Sequence, residues 1–274
     1  MRIPLAGVIG CPVGHSRSPV LHGHWLKVHG LAGHYVPMHV APEDLELVLR
    51  ALPAAGFVGA NVTLPHKEAA LALADEVSAT AKKIGAANTL TFRDGRILAD
   101  NTDGYGFIQN LRDGVRDWQA NDGPALVLGA GGAARAVLVA LAEAGVPQIW
   151  LANRTRARAE ALAADLGLAV TVLDWVDYAD VLPQAALVVN TSSLGMDGQP
   201  ALDLPAAALR PETVVTDIVY APLETVLLRD ARARGCRVVD GLGMLLHQAV
   251  PGFERWFAHR PVVDAGLRRA VLGA

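Results

Sequence analysis

The stretch ALVLGAGGAARAVLVALAEAGVPQIWLANR, residues 125–154, decides the fold. Its opening residues are apolar and strand-like, a cluster of glycines follows, then an apolar helical run, and QIWLANR closes it with a second strand-like run. Strand, glycine turn, helix and strand within about 30 residues make the βαβ unit of a dinucleotide-binding fingerprint. In that unit Gly129 allows the tight turn, Gly131 lets the backbone approach a pyrophosphate, and Ala134 keeps the helix close to the sheet. The helix N-terminus turns its N–H groups toward the anion. A glycine turn capping an ordinary crossover is the plainer alternative, and the joint match of strand, turn and helix favours the fingerprint.

An NAD-binding unit usually ends its second strand with Asp or Glu, which holds the ribose hydroxyl. Here LANRTRARAE offers Asn153, Arg154 and Thr155 instead. Arg156 and Arg158 follow in what reads as the first helical turn, where cations oppose the helix dipole. An anion nearby resolves the conflict. The 2′-phosphate of NADP is such an anion, and guanidinium forks suit it. The alternative is a solvated basic helix face with Glu160 as local partner.

Working outward, a series of strand-like runs continues through LAVTVLD, ALVVNTS, TVVTDIV and CRVVDG, as in a doubly wound parallel sheet. Upstream, IPLAGVIG, HYVPMHV and FVGANVT alternate with SPVLHGHWLKVHG, EDLELVLRAL and HKEAALALADEV, which is again α/β grammar. AANTLTFRDGRILADN breaks that rhythm with a hairpin around Asp94 and Gly95. The reading is therefore two α/β domains with a boundary near Asp103, and the helical C-terminal segment free to pack back on the first domain. Residues 1–103 plus 242–274 form one domain and 104–241 the other. Pro251 falls inside the last helical pattern and predicts a kink or break.

The whole chain agrees with a globular pair of domains: 274 residues, 52% hydrophobic and 19% charged. A formal charge of -3 gives no reason to expect nucleic acid or anionic lipid as partner. Cys11 and Cys236 are the only cysteines, far apart, so there is no disulfide framework and no CxxC metal pattern. The N-terminal apolar run is broken after Gly10, unlike a signal peptide, and no run approaches a membrane span. A soluble, cytoplasmic protein with small-molecule partners is expected.

NVTLPHK, residues 61–67, gathers polar side chains and a cation where a strand gives way to a helix, with Pro65 suited to the first helical turn. Lys67 there is disfavoured by a few tenths of a kcal/mol against the dipole unless another function needs it. GHSRSPVLH looks like an anion site at a helix start, with Ser18 as N-cap and Ser16 as a second hydroxyl; Ser18 as a cap and nothing more is the plainer reading. Six of the nine histidines fall within the first 39 residues, but their spacing is not that of a metal site: His22 and His24 point to different helix faces, and no HExxH occurs. Asn88 in AANTL and the acids of DNTDGYG sit around the hairpin, where Asp100 reads as a turn residue and Asp103 as either an N-cap or a functional carboxylate. Gln248 falls on or beside the apolar stripe of its helix, and a buried amide wants a partner.

Taken together, SRSP, NVTLPHK, AANTL, DNTDG, GAGGAAR, NRT, NTSSLGM and DGLGMLLHQA resemble, in order and spacing, the shikimate dehydrogenase family over nearly the whole chain. The resemblance implies an NADP-dependent enzyme that reversibly reduces 3-dehydroshikimate to shikimate in aromatic amino-acid biosynthesis. It also implies an N-terminal substrate-binding domain, a Rossmann-type domain, and substrate held in the cleft between them. By that resemblance Lys67 and Asp103 match the catalytic pair, and Ser16 and Ser18 match the hydroxyls that hold the substrate carboxylate. Asn61, Thr63, Asn88 and Gln248 match groups that bind ring hydroxyls, and Tyr220 matches a tyrosine at the cleft. Gly129, Ala130, Gly131, Gly132, Ala133, Asn153, Arg154, Thr155 and Arg158 match the cofactor site, with Thr191, Gly241 and Met244 near the nicotinamide end. DIVYAP and SSLGMDGQP depart somewhat from the family's usual forms.

The match explains Lys67. Hydride transfer to a ketone makes an alkoxide that must gain a proton, and a lysine within reach of that oxygen can give the proton, stabilise the charge, or both. The competing readings are an NAD-using quinate/shikimate dehydrogenase, for which an acid near Thr155 or Arg156 is expected and absent, and a catalytically silent NADP-binding module. Monomer and homodimer both remain open.

Overall fold

In the computed structural model, which describes residues 3–273, the chain forms two compact units. One runs to Thr102 and resumes at Leu246; the other is Asp103–Leu245. Each carries a six-stranded sheet.

In the first unit β1 (Leu5–Gly10), β2 (His34–His39) and β3 (Phe57–Val62) run parallel. Parallel neighbours need a crossover, and α1 (Ser18–Val28) and α2 (Leu45–Ala51) supply it. After α3 (Lys67–Ala72), the short strand β4 (Glu76–Val77) and α4 (Ala79–Ile84), the chain forms an antiparallel hairpin of β5 (Thr89–Arg93) and β6 (Arg96–Asp100). The sheet order is β2-β1-β3-β5-β6-β4. Asp94 and Gly95 have φ of 52° and 73°, the pair of left-handed residues that a two-residue type I′ hairpin requires. Leu90 and Phe92 of β5, with Ile97 and Ala99 of β6, alternate inward onto a core that includes Ile9, Leu45, Leu49 and Val62.

Two details here differ from the sequence reading. The helix expected over HKEAALALADEV ends at Ala72, and β4 and α4 follow it. A two-residue strand has no alternation to read, but Ser78 accepts the Ala81 N–H at 3.0 Å and starts α4 as a local cap. Pro65 is not in the first helical turn; it occupies the turn ahead of α3, whose first residue is Lys67.

The second unit begins with α5 (Asp103–Gly114) and then alternates β7 (Ala125–Leu128), α6 (Gly132–Ala144), β8 (Ile149–Ala152), α7 (Arg156–Leu166) and β9 (Val170–Leu173). The short helix α8 (Tyr178–Val181), β10 (Leu187–Asn190), β11 (Val214–Asp217), α9 (Val226–Ala233) and β12 (Arg237–Val239) complete the sheet. All its pairings are parallel, in the order β12-β11-β10-β7-β8-β9. β7, β8, β10 and β11 are buried at every position; β7 and β8 are apolar throughout, while β10 and β11 end on the buried polar residues Asn190, Thr216 and Asp217. The chain winds outward from β7 to β9, then returns to lay β10 on the other side of β7, so the switch point lies between β7 and β10. Gly104 lets α5 approach α6 closely: a Cβ there would sit 3.0 Å from Ala140 Cβ.

α10 (Leu242–Phe257) runs through Pro251 without the expected break, and α11 (Ala265–Leu272) follows. Phe253, Trp256 and Phe257, all buried beyond the proline, hold the last turns in place. Trp256 lies where Gly59 has no side chain, and its indole N–H donates to the Leu90 carbonyl at 3.0 Å. Among the described residues no helix is long and apolar enough to cross a membrane.

Candidate active and cofactor sites

NVTLPHK ends β3 and opens α3, and the first unit accounts for each polar member. His66 is buried, with Nε2 bonded to the Val40 carbonyl at 2.8 Å, so it ties the turn to the end of β2. Thr63 stands beside the end of β1, where a Cβ on Gly10 would collide with its methyl group. Lys67, half-buried, is the first residue of α3, and its carbonyl accepts the Ala87 N–H at 2.9 Å. The start of α3 is thereby fastened next to Asn88.

Asn61, Asn88 and Gln248 are all buried and joined in one chain of side chains. Asn61 Oδ1 accepts from the Tyr35 hydroxyl at 2.7 Å, and Asn61 Nδ2 donates to the Asn88 carbonyl at 3.1 Å and to Thr89 Oγ1 at 3.3 Å. Asn88 Oδ1 accepts from the Thr102 N–H at 2.8 Å and from Thr89 Oγ1 at 3.0 Å, while Asn88 Nδ2 donates to Gln248 Oε1 at 3.3 Å. A buried network of this kind is rigid when its members are satisfied. Tyr35, Thr89 and Thr102 belong to it and escaped the sequence reading, although Thr89 and Thr102 stand inside AANTL and DNTDG.

Ser18 is not the N-cap of α1. It occupies the first helical position, buried, behind Arg17, and no side chain caps the helix. The cap-like contact comes from Ser16, whose Oγ accepts the Ser18 N–H at 3.3 Å. Asp100 is likewise more than a turn residue. Its Oδ1 accepts from Ser78 Oγ at 2.6 Å and its Oδ2 from the Arg255 guanidinium at 2.5 Å, tying β6 to the start of α4 and to α10. Burial pushes its carboxyl up, and the Ser78 and Arg255 bonds outweigh that and hold it below the usual value. Asp103 follows Thr102 directly in the chain and is the first residue of α5.

The histidine-rich stretch supports packing. His22 is fully buried, stacked on Tyr35 with ring centroids 3.9 Å apart. Among the described residues neither ring nitrogen has a hydrogen-bond partner, and burial lowers its pKa to about 3 against the opposing pull of the Asn61 amide nearby.

In the second unit most candidate cofactor residues collect at the C-terminal ends of β7, β8 and β10, on either side of the switch point, while Gly241 and Met244 follow β12 at the sheet edge. Gly129 has φ of 107°, and a Cβ there would meet the Ser192 nitrogen at 2.9 Å, so only glycine fits. Asn153 Oδ1 accepts the Ala130 N–H at 3.2 Å and its Nδ2 donates to the Thr155 carbonyl at 2.8 Å, pinning the glycine loop to the turn before α7. Gly131 precedes α6 with no side-chain cap, and a Cβ on Gly131 or Gly132 would meet nothing among the described residues within 4 Å. Gly132 and Ala133 form the first turn of α6. A phosphate can reach the N–H groups of that turn.

The basic run divides into two kinds. Arg156 pairs with Glu160 at 2.7 Å and with Asp174, just after β9, at 3.0 Å. Arg154 and Arg158 are exposed and have no acidic partner among the described residues. That is a donor set suited to an anion from outside the chain.

At the end of β10, Thr191 Oγ1 donates toward the Leu128 carbonyl at 2.9 Å, holding the next loop against β7. The buried Asn190 and Asp217 side chains anchor that loop and the one bearing Tyr220. Asn190 Nδ2 donates to Asp217 Oδ1 at 2.9 Å, and Asp217 also accepts from the Val219 N–H at 3.0 Å and the Thr225 hydroxyl at 2.8 Å. Gly241 packs on the Ile218 and Val219 backbone, leaving no room for a Cβ, and Tyr220 and Met244 are half-buried. Neither Asn190 nor Asp217 was singled out in the sequence, although both lie in the quoted motifs. A separate groove of about 690 Å³ on the outer face of β5 and β6, lined by Thr91, Arg93, Asp100 and Arg255 among others, contains none of the candidate site residues.

The comparisons with known proteins agree with this arrangement of motifs. Residues 8–90 match the family model for the shikimate dehydrogenase substrate binding domain, and residues 115–195 that for shikimate / quinate 5-dehydrogenase. A shikimate dehydrogenase (NADP(+)) of Cereibacter sphaeroides (strain ATCC 17029 / ATH 2.4.9) is 64% identical over 274 residues, covering 100% of this chain and 98% of the relative. Among solved structures, shikimate 5-dehydrogenase of Thermus thermophilus in complex with NADP(H) and shikimate is 40% identical with a TM-score of 0.87, covering 99% of each chain. Quinate dehydrogenase of Corynebacterium glutamicum in complex with NAD is 34% identical with a TM-score of 0.91, over 98% of this chain and 99% of that one. With identity of this level along its whole length, and with both family models matched, the chain belongs to the shikimate dehydrogenase family.

Proposed function

We propose that this protein catalyses the reversible NADPH-dependent reduction of 3-dehydroshikimate to shikimate, a step of aromatic amino-acid biosynthesis, as a cytoplasmic enzyme. One observation carries the cofactor choice: Arg154, just after β8, and Arg158, in the first turn of α7, lack acidic partners among the described residues, while Arg156 has two. Those two guanidinium groups suit the 2′-phosphate that distinguishes NADP from NAD. The uncovered first turn of α6 suits the pyrophosphate. When bound, NADPH supplies the hydride to the ketone carbon.

The chain's own residues then have distinct work. Lys67 meets the carbonyl oxygen and supplies the proton, stabilises the developing alkoxide, or does both. Asp103 accepts a substrate hydroxyl. Ser16 and Ser18 hold the substrate carboxylate at the start of α1, and Asn61, Thr63, Asn88 and Gln248 bind ring hydroxyls, with Tyr220 beside the ring. A hydride on carbon and a proton on oxygen complete the reduction. Residues up to Thr102 with those from Leu246 act as the substrate-binding domain, and Asp103–Leu245 as the NADP-binding domain.

Initial rates with shikimate and NADP⁺, repeated with NAD⁺ and with quinate, test the reading. The expected outcome is the highest kcat/KM for shikimate with NADP⁺. A preference for quinate with NAD⁺ replaces it with the quinate dehydrogenase reading, and no turnover of either acid leaves a binding module.

A further inference from the structure

We propose that Tyr35 is a positioning residue of the substrate site: its buried hydroxyl fixes the Asn61 side chain and, through Thr89, the Asn88 and Gln248 amides. The inference rests on the reading above that Asn61, Asn88 and Gln248 hold ring hydroxyls.

Tyr35 lies on β2, and its ring is held on one face by His22, 3.9 Å away between centroids with planes 5° from parallel. Trp256 flanks it at 6.2 Å. The ring is therefore aimed before any substrate arrives, and its hydroxyl donates to Asn61 Oδ1 at 2.7 Å. An amide has an acceptor end and a donor end. With Oδ1 taken by Tyr35, Nδ2 faces the Asn88 carbonyl and Thr89 Oγ1. Thr89 in turn joins the Thr102 N–H in bonding Asn88 Oδ1, which leaves Asn88 Nδ2 directed at Gln248 Oε1. The direction of donation thus runs unbroken from the phenol to the last amide. Burial raises the Tyr35 pKa well above its ordinary value, so the hydroxyl keeps its proton and remains a donor throughout the working pH range. Without it, Asn61 Oδ1 is buried and short of that donor. The amide then gains by swinging toward another, and its hold on Asn88 and Thr89 loosens.

The test is Tyr35→Phe, which keeps the ring and its stacking on His22. The expected result is a shikimate KM raised about 5- to 30-fold, the worth of one buried hydrogen bond, with kcat changed less and the KM for NADP⁺ unmoved. The increase should shrink with shikimate analogues that lack one non-reacting ring hydroxyl. Thr89→Val, which breaks the next link, should give the same split and decides the matter if Tyr35→Phe does not fold. Asn88→Ala serves as the control for the site itself. If Asn88→Ala raises the shikimate KM and the Tyr35 and Thr89 variants do not, the positioning role is overturned and the site stands. If none of the three moves it, both readings fall. A lowered Tm with both KM values rising together assigns Tyr35 to stability alone and also overturns the proposal.

Discussion

The His22 ring lies flat against Tyr35, the two planes 5° from parallel, and both of its buried nitrogens are without a hydrogen-bond partner among the described residues. A histidine in that setting has to stay neutral for the fold to persist. Its pKa is about 3 in the folded protein against 6.5 for the free side chain, so below pH 6.5 the unfolded chain takes up a proton that the folded chain does not.

The stability contributed by a neutral His22 is full above pH 6.5 and is lost at up to about 1.4 kcal/mol per pH unit as the pH falls toward the folded value. Urea unfolding of wild type and His22→Leu at pH 7 and pH 5 checks this. The loss between the two pH values should be smaller in the variant by up to about 2 kcal/mol. Equal losses in the two proteins would show that His22 does not govern the acid limb.

Lys67→Ala should lower kcat by about 100-fold or more while shikimate KM stays within about tenfold, because a group that acts chiefly in the transition state affects turnover more than ground-state binding. Asp103→Asn should impair both constants. Steady-state kinetics with thermal melts separates this from a structural role: unchanged kinetics with a lowered Tm would make Asp103 a helix-terminus residue only.

Arg154→Ala combined with Arg158→Ala should weaken NADP⁺ use by roughly 10- to 1,000-fold in kcat/KM and leave NAD⁺ use nearly unchanged, given about 1.5 to 3 kcal/mol for each charge-assisted bond less the losses to solvent and salt. Arg156→Ala should have the smaller effect on cofactor choice, because Glu160 and Asp174 already occupy that guanidinium. Comparable loss with both cofactors would assign the basic run to the helix face instead.

Asp217→Ala should destabilise the second unit by about 2 to 4 kcal/mol, since it strips the Asn190 amide, the Val219 N–H and the Thr225 hydroxyl of one buried acceptor. Asp217→Asn should cost less. Burial raises the Asp217 carboxyl above 3.8, so the folded state holds this proton more tightly and the group's contribution declines as pH climbs from there through the folded value. Chemical unfolding across that range should show the decline in wild type and not in Asp217→Asn.

Much of the architecture was legible because short-range sterics write it into neighbouring residues. The glycines after ALVL mark the turn into α6, Asp94-Gly95 the hairpin, and the apolar runs of β7 and β8, with the Leu-Val-Val and Val-Val starts of β10 and β11, the strands buried on both faces. β4, two residues long, offered no period to read, and Pro251 lacks an N–H but sits in a helix whose buried aromatic end overrides the local cost. The candidate residues of the site were named from motifs. Their hydrogen bonds were not, because the partner of Asn61 is set by the register of β1 against both β2 and β3, which brings Tyr35 across the strand between them.

The sequence by itself determined the two α/β series, the dinucleotide fingerprint and the kinds of side chain available to the chemistry, since each depends on residues a few positions apart. Only the tertiary structure decided which of them are occupied with one another. Asp174, 18 positions along from Arg156, reaches it because β9 lies beside β8, and so distinguishes that arginine from Arg154 and Arg158. Arg255 reaches Asp100 across 155 positions because the C-terminal part of α10 packs on the first sheet. His22 loses its water to Tyr35, Trp25 and Phe253, which come from three separate elements. Backbone preference acts along the chain, whereas desolvation and hydrogen-bond pairing act through space, and sheet order and register determine which distant residues meet.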